Sequence, residues 1–309
     1  MTTKILLTGV TGQVGSALLQ PLQQIGQVIA PTRAQLDLAN SDAVKRYLAD
    51  HRPDLIVNPA AWTQVDQAEA EPDAAHKLNA ALPEQLARYC AENDAWLIHY
   101  STDYVYSGEG TEPFTEASAP APLSVYGKTK LAGDEAVQAL CPKHLILRTS
   151  WVYSHTGHNF LKTMLRLGKE RDEISVVNDQ IGTPTSASFL ADVTVTLIGR
   201  IQAHQAVPAG VYHAVPRGYT SWAGFAEAIF SAAREFGLGE YAVHVKGIPT
   251  SEYPTPAVRP LNSRLCQQKL GALLSSASAS ASASASANTD WHTCLRSLIF
   301  SHASLLGGK

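Results

Sequence analysis

The chain has 309 residues, of which 45% are hydrophobic and 17% are charged, and its formal net charge is −3. This composition is typical of a globular protein and argues against a nucleic-acid-binding surface. No apolar run approaches the roughly 18 residues of a membrane helix, and the four cysteines are scattered without a C-x-x-C pair. We therefore expect a cytoplasmic protein with reduced thiols, without a membrane span, a disulfide framework or a metal site.

A glycine-rich turn follows the first predicted strand. The strand is Lys4-Ile5-Leu6-Leu7-Thr8, the turn is Gly9-Val10-Thr11-Gly12-Gln13-Val14-Gly15, and a helix begins at Ser16. Glycines at such a junction permit a tight turn and let a pyrophosphate approach the N–H groups at the helix N-terminus. We therefore predict a nucleotide site at the first strand–helix junction, with Gly9 and Gly12 in its turn.

The end of the second predicted strand, Gln27-Val28-Ile29-Ala30, bears on the choice of nucleotide. A site selective for NAD usually has an acidic residue here, which accepts a hydrogen bond from the ribose 2′-hydroxyl. This chain has Thr32 and Arg33 instead, and their side chains suit a 2′-phosphate. The sequence favours NADP(H), with NAD(H) as the second option; Arg33 as a solvated loop charge remains the alternative.

The next segments alternate between strand and helix patterns, which predicts a doubly wound parallel sheet of the Rossmann type. Asn58-Pro59-Ala60-Ala61 and Ser101-Thr102-Asp103 each follow or end a predicted strand. Ligands of such sheets bind at the carboxyl ends of the strands, so small residues there suit a cofactor and hydroxyls suit a substrate oxygen. We predict a dinucleotide-binding domain over residues 1–150.

A predicted helix carries Tyr126 and Lys130, which lie four residues apart and therefore on one face. An ammonium close to a phenol favours the phenolate, so we expect Lys130 to lower the pKa of Tyr126. Such a tyrosine can serve as the acid or base of carbonyl–alcohol chemistry. A Tyr-x-x-x-Lys pair is common by chance, and its significance depends on the nucleotide site and on Thr102.

The second half, residues 151–309, is predicted to bind the substrate and to return some segments to the first sheet. His213, on a late strand, is predicted to be structural. Arg259 precedes a proline, where its guanidinium can contact a diphosphate or form a surface salt bridge. The Ser/Ala alternation over residues 275–287 lacks bulky side chains and is predicted to be a flexible insertion.

In chain order, these motifs resemble the extended short-chain dehydrogenase/reductases, and within them the dTDP-4-dehydrorhamnose reductase family. The motifs that carry the resemblance are Thr11-Gly12-Gln13-Val14-Gly15, Gln35-Leu36-Asp37-Leu38, Ser101-Thr102-Asp103-Tyr104-Val105-Tyr106, Val125-Tyr126-Gly127-Lys128-Thr129-Lys130-Leu131-Ala132-Gly133, Arg148-Thr149-Ser150-Trp151-Val152-Tyr153, Asn178-Asp179-Gln180-Ile181-Gly182-Thr183-Pro184-Thr185 and Arg259-Pro260-Leu261-Asn262-Ser263-Arg264-Leu265. They extend over nearly the whole chain.

The resemblance implies an enzyme that reduces the C4 ketone of a dTDP-sugar with NADPH. It implies that Tyr126 donates the proton, that Lys130 holds the nicotinamide ribose and that Thr102 orients the ketone. Further implied cofactor contacts are Gly12, Gln13 and Val14 along the pyrophosphate, Asp37 and Leu38 at the adenine, and Ala60, Ala61 and Thr63 along the ribose and nicotinamide. Implied substrate contacts are Trp151 and Asp103.

Two alternatives and one departure accompany the resemblance. A related nucleotide-sugar reductase or epimerase has similar motifs, and so does a non-catalytic regulatory subunit of the methionine adenosyltransferase β type. The resemblance also implies a homodimer. Some family members join their subunits through a metal held by acidic residues, but Ala17 and Ser188 occupy the corresponding positions here. We therefore do not expect a metal-bridged dimer.

Overall fold

The computed structural model describes residues 2–275 and 289–306. Apart from Ser275, the predicted Ser/Ala insertion lies outside the described residues. The strands are β1 Lys4–Leu7, β2 Gln27–Ile29, β3 Leu55–Asn58, β4 Trp96–Thr102, β5 His144–Thr149, β6 Val152–Tyr153, β7 Glu173–Val177, β8 Ile181–Gly182, β9 Thr185–Ser186, β10 Gly210–His213, β11 Thr220–Ser221 and β12 His244–Ile248.

Most described helices lie between these strands, as the sequence pattern predicts. They are α1 Gln13–Gln23, α2 Ser41–His51, α3 Val65–Ala70, α4 Pro72–His76, α5 Leu82–Glu92, α6 Val125–Leu140, α7 Phe160–Glu170, α8 Ala187–Gln202, α9 Trp222–Glu235, α10 Gln268–Ser275, α11 Trp291–Ser301 and α12 Ala303–Leu306. A π-helical turn, Lys77–Ala81, joins α4 to α5. None of the described helices is long and apolar enough to cross a membrane.

A six-stranded parallel sheet in the order β10-β5-β4-β3-β1-β2 forms the centre of the molecule. Its strands are nearly continuous apolar runs, because helices cover each face and no face is left to water. One apolar cluster packs α1 and α8 on the sheet, and another packs α2, α5 and α6 on it. The predicted doubly wound parallel fold is confirmed.

The strand order reverses between β1 and β3. β2 lies on the outer side of β1, whereas β4 and β5 follow β3 in the opposite direction. The crevice outside the carboxyl ends of such strands is where open α/β sheets bind their ligands. The glycine turn follows β1, and the segment that contains Ala60 follows β3. The sheet topology therefore places these two segments side by side at the predicted nucleotide site.

The second half contributes to the central sheet and also has a core of its own. β10 pairs in parallel with β5 at the edge of the central sheet. A separate apolar cluster unites α7, α9 and α11, and two short two-stranded ladders, β12 with β7 and β11 with β8, flank it. This second core faces the carboxyl-terminal edge of the central sheet through the segment around Trp151.

Candidate active site

The glycine turn has the geometry of a nucleotide cradle. Gly9 has a φ of +56°, and a Cβ on Gly15 would lie 2.1 Å from the Gly9 carbonyl oxygen, so only glycine fits at these two positions. Gly12 is the N-cap of α1, and no side chain caps the helix there. The first-turn N–H groups are thus available to an anion, and the positive end of the helix dipole favours one. The residues fit a dinucleotide pyrophosphate.

The loop after β2 is exposed and presents the residues predicted to select the nucleotide. The Thr32 N–H and hydroxyl donate hydrogen bonds to the Gln35 side-chain oxygen at 2.8 and 3.0 Å, which shapes the turn. Arg33 and Asp37 are exposed, and Leu38 packs partly against the apolar cluster behind them. Arg33 therefore has the accessibility that a 2′-phosphate contact requires.

The segment after β3 lies directly against the glycine turn. A Cβ on Gly9 would lie 3.0 Å from the Ala60 Cα, and the Ala60 N–H donates a hydrogen bond to the Thr8 hydroxyl at 3.3 Å. Two residues on, the Trp62 N–H donates to the Asn79 side-chain oxygen at 2.8 Å. The segment that contains Ala61 and Thr63 is thereby fixed beside the nucleotide cradle.

Two hydrogen bonds at its N-terminus and a close approach at Gly127 hold helix α6 against the end of β4. Ser124 caps its N-terminus by accepting a hydrogen bond from the Gly127 N–H at 3.1 Å, and Glu69 accepts one from the Val125 N–H at 2.9 Å. A Cβ on Gly127 would lie 2.3 Å from the Tyr104 carbonyl oxygen. The absence of a Cβ lets α6 approach the chain after β4, and Tyr126 is presented there.

The Tyr126 phenol is half-buried, and its ring meets the Tyr104 ring edge-on at 5.6 Å. Burial raises the pKa of Tyr126, whereas a hydrogen bond with Thr102 acts in the opposite direction. The expectation that Lys130 lowers the pKa of Tyr126 is wrong for this structure. The Lys130 ammonium points into the sheet, where it donates a hydrogen bond to the Tyr100 carbonyl oxygen at 2.6 Å.

Lys130 belongs to a buried charged cluster that also contains His99, Asp134 and Arg148. Lys130 Nζ lies 3.2 Å from His99 Nε2, and Arg148 Nε donates a hydrogen bond to Asp134 Oδ2 at 3.0 Å. Burial lowers the pKa of Lys130 to about 8, while the Asp134 carboxylate opposes this shift. Burial and the Lys130 charge hold the pKa of His99 well below its usual value, so the imidazole is neutral.

Thr102 ends β4 beside Tyr126, and Asp103 follows it. The Thr102 hydroxyl donates a hydrogen bond to Asp103 Oδ1 at 3.1 Å and accepts one from the Tyr104 N–H at 3.2 Å. Asp103 Oδ2 is buried without a hydrogen-bond partner in the described part of the chain. Burial raises the pKa of Asp103 to about 6, against hydrogen bonds from Ser263 and Thr102. An unpartnered buried oxygen next to the predicted proton donor suits a polar substrate group.

Trp151 lies at a different part of the carboxyl-terminal edge of the central sheet. Its backbone has a φ of +47°, and its ring stacks on Trp222 with centroids 3.7 Å apart. Phe160 and Phe225 continue this group, which we call the aromatic wall. No bulky side chain could replace Gly182, because its Cβ would lie 2.7 Å from the Trp151 ring.

Arg259 and His213, which the sequence also singled out, both have defined contacts in the structure. Arg259 Nη2 forms an ion pair with Asp66 at 2.7 Å, so the salt-bridge alternative describes its contact in this structure. His213 is buried, its Nε2 lies 2.7 Å from the Tyr106 hydroxyl, and burial lowers its pKa to about 3. A neutral histidine locked between buried partners agrees with the predicted structural role.

His99, Asp134 and Asn79 were not identified from the sequence, although each contacts the site. Asp134 follows Lys130 by four residues on α6, so the helical spacing that paired Tyr126 with Lys130 could have identified it. His99 and Asn79 had no such signal, because their partners lie on other elements. Only the packing of α6 on β4 and on the π-helical turn brings them to the site.

Comparisons with known proteins give the family. The model of the RmlD substrate binding domain matches residues 3–285. The dTDP-4-dehydrorhamnose reductase of Shigella flexneri is 50% identical over 269 residues, which are 86% of this chain and 90% of the relative.

Two solved structures agree with this result. A dTDP-4-dehydrorhamnose reductase from Clostridium acetobutylicum is 37% identical, with a TM-score of 0.85 over 96% of this chain and 98% of its own. The enzyme of the same name from Bacillus anthracis, solved in complex with NADP, is 34% identical, with a TM-score of 0.85 over 97% of this chain and 100% of its own. The chain therefore belongs to the dTDP-4-dehydrorhamnose reductase family of extended short-chain dehydrogenase/reductases.

Proposed function

We propose that this chain reduces the C4 ketone of dTDP-4-dehydro-L-rhamnose to the alcohol of dTDP-L-rhamnose, with NADPH as reductant. The observation that carries the proposal is the meeting of Tyr126 and Thr102 at the carboxyl end of β4, on the same edge of the sheet as the glycine cradle, in a chain half identical to reductases of that name. A regulatory subunit has no need of this arrangement. A proton donor, a hydroxyl and a dinucleotide site are what a carbonyl reduction requires.

NADPH, when bound, supplies the hydride, and the protein supplies the geometry and the proton. The exposed Arg33 and Thr32 are proposed to contact its 2′-phosphate, because the acidic residue of an NAD-selective loop is missing. The other residues proposed to hold it are Gly9, Gly12, Gln13 and Val14 at the pyrophosphate, Asp37 and Leu38 at the adenine, and Ala60, Ala61, Thr63, Tyr126 and Lys130 along the ribose and nicotinamide.

Tyr126 is proposed to donate its phenolic proton to the ketone oxygen as negative charge develops there. Its raised pKa keeps the phenol protonated at neutral pH, which is the form that a proton donor must have. Thr102 is proposed to hydrogen-bond the same oxygen. Lys130, one turn further along α6, is proposed to hold the nicotinamide ribose rather than to act on the phenol directly.

Asp103, Trp151 and Arg259 are proposed to contact the sugar nucleotide. The unpartnered Asp103 Oδ2 can accept a hydrogen bond from a sugar hydroxyl. The Trp151 ring offers an apolar face to the sugar or the base. Arg259 would have to leave Asp66 to contact the diphosphate, and the charge of a diphosphate favours this exchange.

A nucleotide sugar is a water-soluble substrate, so we propose that the protein acts in the cytoplasm and binds no membrane. All four cysteines are unpaired, as reduced thiols require. We propose a homodimer without a bridging metal, because Ala17 and Ser188 offer no ligand. Sedimentation in the presence of a chelator tests this proposal; dissociation caused by the chelator contradicts it.

The reaction is tested by following NADPH absorbance after addition of dTDP-4-dehydro-L-rhamnose, with NADH assayed in parallel. We expect rapid oxidation by the wild-type protein, slower oxidation of NADH, and a loss of about 10²–10⁴-fold in kcat for Tyr126→Phe. Tyr253→Phe, at a tyrosine that is 59% exposed, is the matched control and should retain full activity. Wild-type protein that binds NADPH without oxidising it would overturn the proposal in favour of another nucleotide sugar or the regulatory subunit.

A further inference from the structure

The segment between β6 and α7 lies against the start of α1 and is tied to it by side chains. Asn159 Nδ2 donates a hydrogen bond to Gln13 Oε1 at 2.9 Å. The hydroxyls of Thr156 and Ser16 lie 3.2 Å apart, and a Cβ on Gly157 would lie 3.3 Å from Gln13 Cγ. These contacts join the second half of the chain to the first turn of α1, where the nucleotide cradle lies.

The orientation of the Asn159 amide is unambiguous, because each side faces a backbone group of known kind. Its Oδ1 accepts a hydrogen bond from the Lys162 N–H at 3.1 Å and thereby caps α7. Its Nδ2 lies 2.7 Å from the Ser154 carbonyl oxygen and 3.1 Å from the Thr156 carbonyl oxygen, which can only accept. Asn159 is 8% exposed, so water offers it few other partners. The amide is therefore held as a donor towards Gln13.

This donor determines which way the Gln13 amide points. A glutamine amide has an oxygen that accepts hydrogen bonds and an NH₂ group that donates them. Because Asn159 Nδ2 donates, the Gln13 oxygen must face it, and the Gln13 NH₂ group faces away. If the Gln13 amide turned over, two NH₂ groups would face each other without an acceptor between them.

Gln13 lies at the positive end of α1. It is the first residue of the helix and follows Gly12, which provides no side-chain cap for the first-turn N–H groups. Side chains of a helix lean towards its N-terminus, so the Gln13 NH₂ group adds one donor to the backbone donors of the cradle. A reversed amide would instead present oxygen lone pairs to the negative charge of a phosphate.

We propose that Asn159 is a positioning residue that turns the Gln13 NH₂ group towards the cofactor pyrophosphate. The proposal rests on the proposed function and deepens it, because a residue of the second half of the chain then sets the polarity of the cofactor site in the first half. Asn159 acts through Gln13 and is assigned no contact of its own with the cofactor.

The affinity for NADPH, followed by protein fluorescence without a sugar nucleotide, tests the role of Gln13. Gln13→Met keeps the length of the side chain and removes its donor, so Kd for NADPH should rise about 10-fold. Gln13→Glu still accepts from Asn159 but presents a carboxylate oxygen to the pyrophosphate, so Kd should rise further. The ligand 2′-AMP has the adenosine 2′-phosphate of NADPH but no pyrophosphate, and should bind all variants equally. An unchanged Kd for NADPH in Gln13→Glu overturns the proposal.

A double-mutant cycle separates positioning from a structural role. Asn159→Ser keeps a cap for α7 and removes the donor, so Kd for NADPH should rise about 3–5-fold. In the Gln13→Met background the same substitution should have no further effect, because it acts through the Gln13 amide. Effects that multiply indicate a merely structural role and overturn the proposal. Asn93→Ser, at an exposed amide that donates to the Tyr89 carbonyl oxygen at 2.8 Å, is the control and should leave Kd unchanged.

Two further outcomes distinguish this proposal from the proposed function. A fall in the affinity of Asn159→Ser for 2′-AMP as well as for NADPH would show a general loss of structure and would overturn the positioning role. A wild-type protein that does not oxidise NADPH in the presence of dTDP-4-dehydro-L-rhamnose, while the variants show the expected order of NADPH affinities, contradicts the proposed function and supports the role of Asn159.

Discussion

The charged cluster and the aromatic wall both lie at the carboxyl-terminal edge of the central sheet, but their side chains are held in different ways. The charged cluster consists of side chains on β4, β5 and α6, regular elements at the centre of the molecule, and water barely reaches them. The aromatic wall consists of the half-buried rings of Trp151, Phe160 and Trp222 and the buried ring of Phe225, which contact one another in stacked and tilted pairs. The charged side is fixed by directional bonds, whereas the aromatic side can adjust.

This difference matters for the proposed reaction. A proton donor must be held within a few tenths of an ångström of its productive position, so its supporting groups need a rigid frame. A sugar nucleotide has a shape that a stack of rings can accommodate by small shifts. The comparison predicts that changes in the charged cluster alter stability and catalysis strongly, and that changes in the aromatic wall alter substrate affinity moderately.

Asp134→Asn should have the largest effect on the charged cluster. Burial raises the pKa of Asp134, but Arg148 and Lys130 act against this shift, and Arg148 cannot discharge at any accessible pH. Removal of the carboxylate leaves the Arg148 guanidinium, 3% exposed, without its counter-charge. We expect the free energy of unfolding to fall by about 3–5 kcal/mol in urea titrations.

The control for this variant is an ion pair at the surface. Glu84 and Arg88 pair at 2.7 Å on an exposed face of α5. Glu84→Gln should change the free energy of unfolding by no more than about 1 kcal/mol, because such pairs are screened by water. Equal effects of the two substitutions would mean that the charged cluster has no special rigidity.

Asp103→Asn should change the free energy of unfolding in the opposite direction and raise it. Within the described part of the chain Asp103 has hydroxyl partners but no cation, and burial raises its pKa from 3.8 to about 6. The folded protein therefore binds the proton more tightly than the unfolded chain, and this stabilisation is lost as the pH rises from about 4 through about 6. Above that range the variant should be more stable than the wild type, by at most about 3 kcal/mol.

Unfolding measured across pH 4 to 8 tests this prediction, with Asp179→Asn as the control. Hydrogen bonds from Thr250 lower the pKa of Asp179 from 3.8, so its contribution is lost only below that pH, and the difference between the wild type and Asp179→Asn should stay nearly constant from pH 4 to 8. A wild type that loses no stability relative to Asp103→Asn between pH 4 and 6 contradicts the predicted burial cost.

The sequence allowed most of the fold to be predicted, because alternating apolar strands and amphipathic helices determine a parallel sheet almost by themselves. Gly9 and Gly15 were identifiable because their chemistry is local to one turn. The direction of Lys130 was not, since it depends on His99 and the Tyr100 carbonyl of another element. The expected effect of Lys130 on the pKa of Tyr126 was therefore wrong, although the helical spacing was right.

The aromatic wall could not be predicted from the sequence either, for a different reason. Trp151 and Trp222 are far apart in the chain, and a stack of two rings leaves no periodic pattern. The positive φ of Trp151 also could not be expected of a bulky residue. Contacts between residues far apart in the chain are the ones that local patterns do not encode.

Trp222→Leu should have the smallest effect of these variants, and it tests the aromatic wall. The variant removes the ring that supports Trp151, and an aromatic pair contributes about 0.5–1.5 kcal/mol beyond burial. If Trp151 contacts the substrate, KM for the sugar nucleotide should rise about 2–12-fold, with kcat and the NADPH affinity unchanged. Phe300→Leu, at a 69% exposed ring that meets Phe236 away from the site, is the control and should leave KM unchanged. A fall in kcat without a change in KM would show that the aromatic wall, like the charged cluster, positions the reacting groups, and the contrast between the two sides would then not hold.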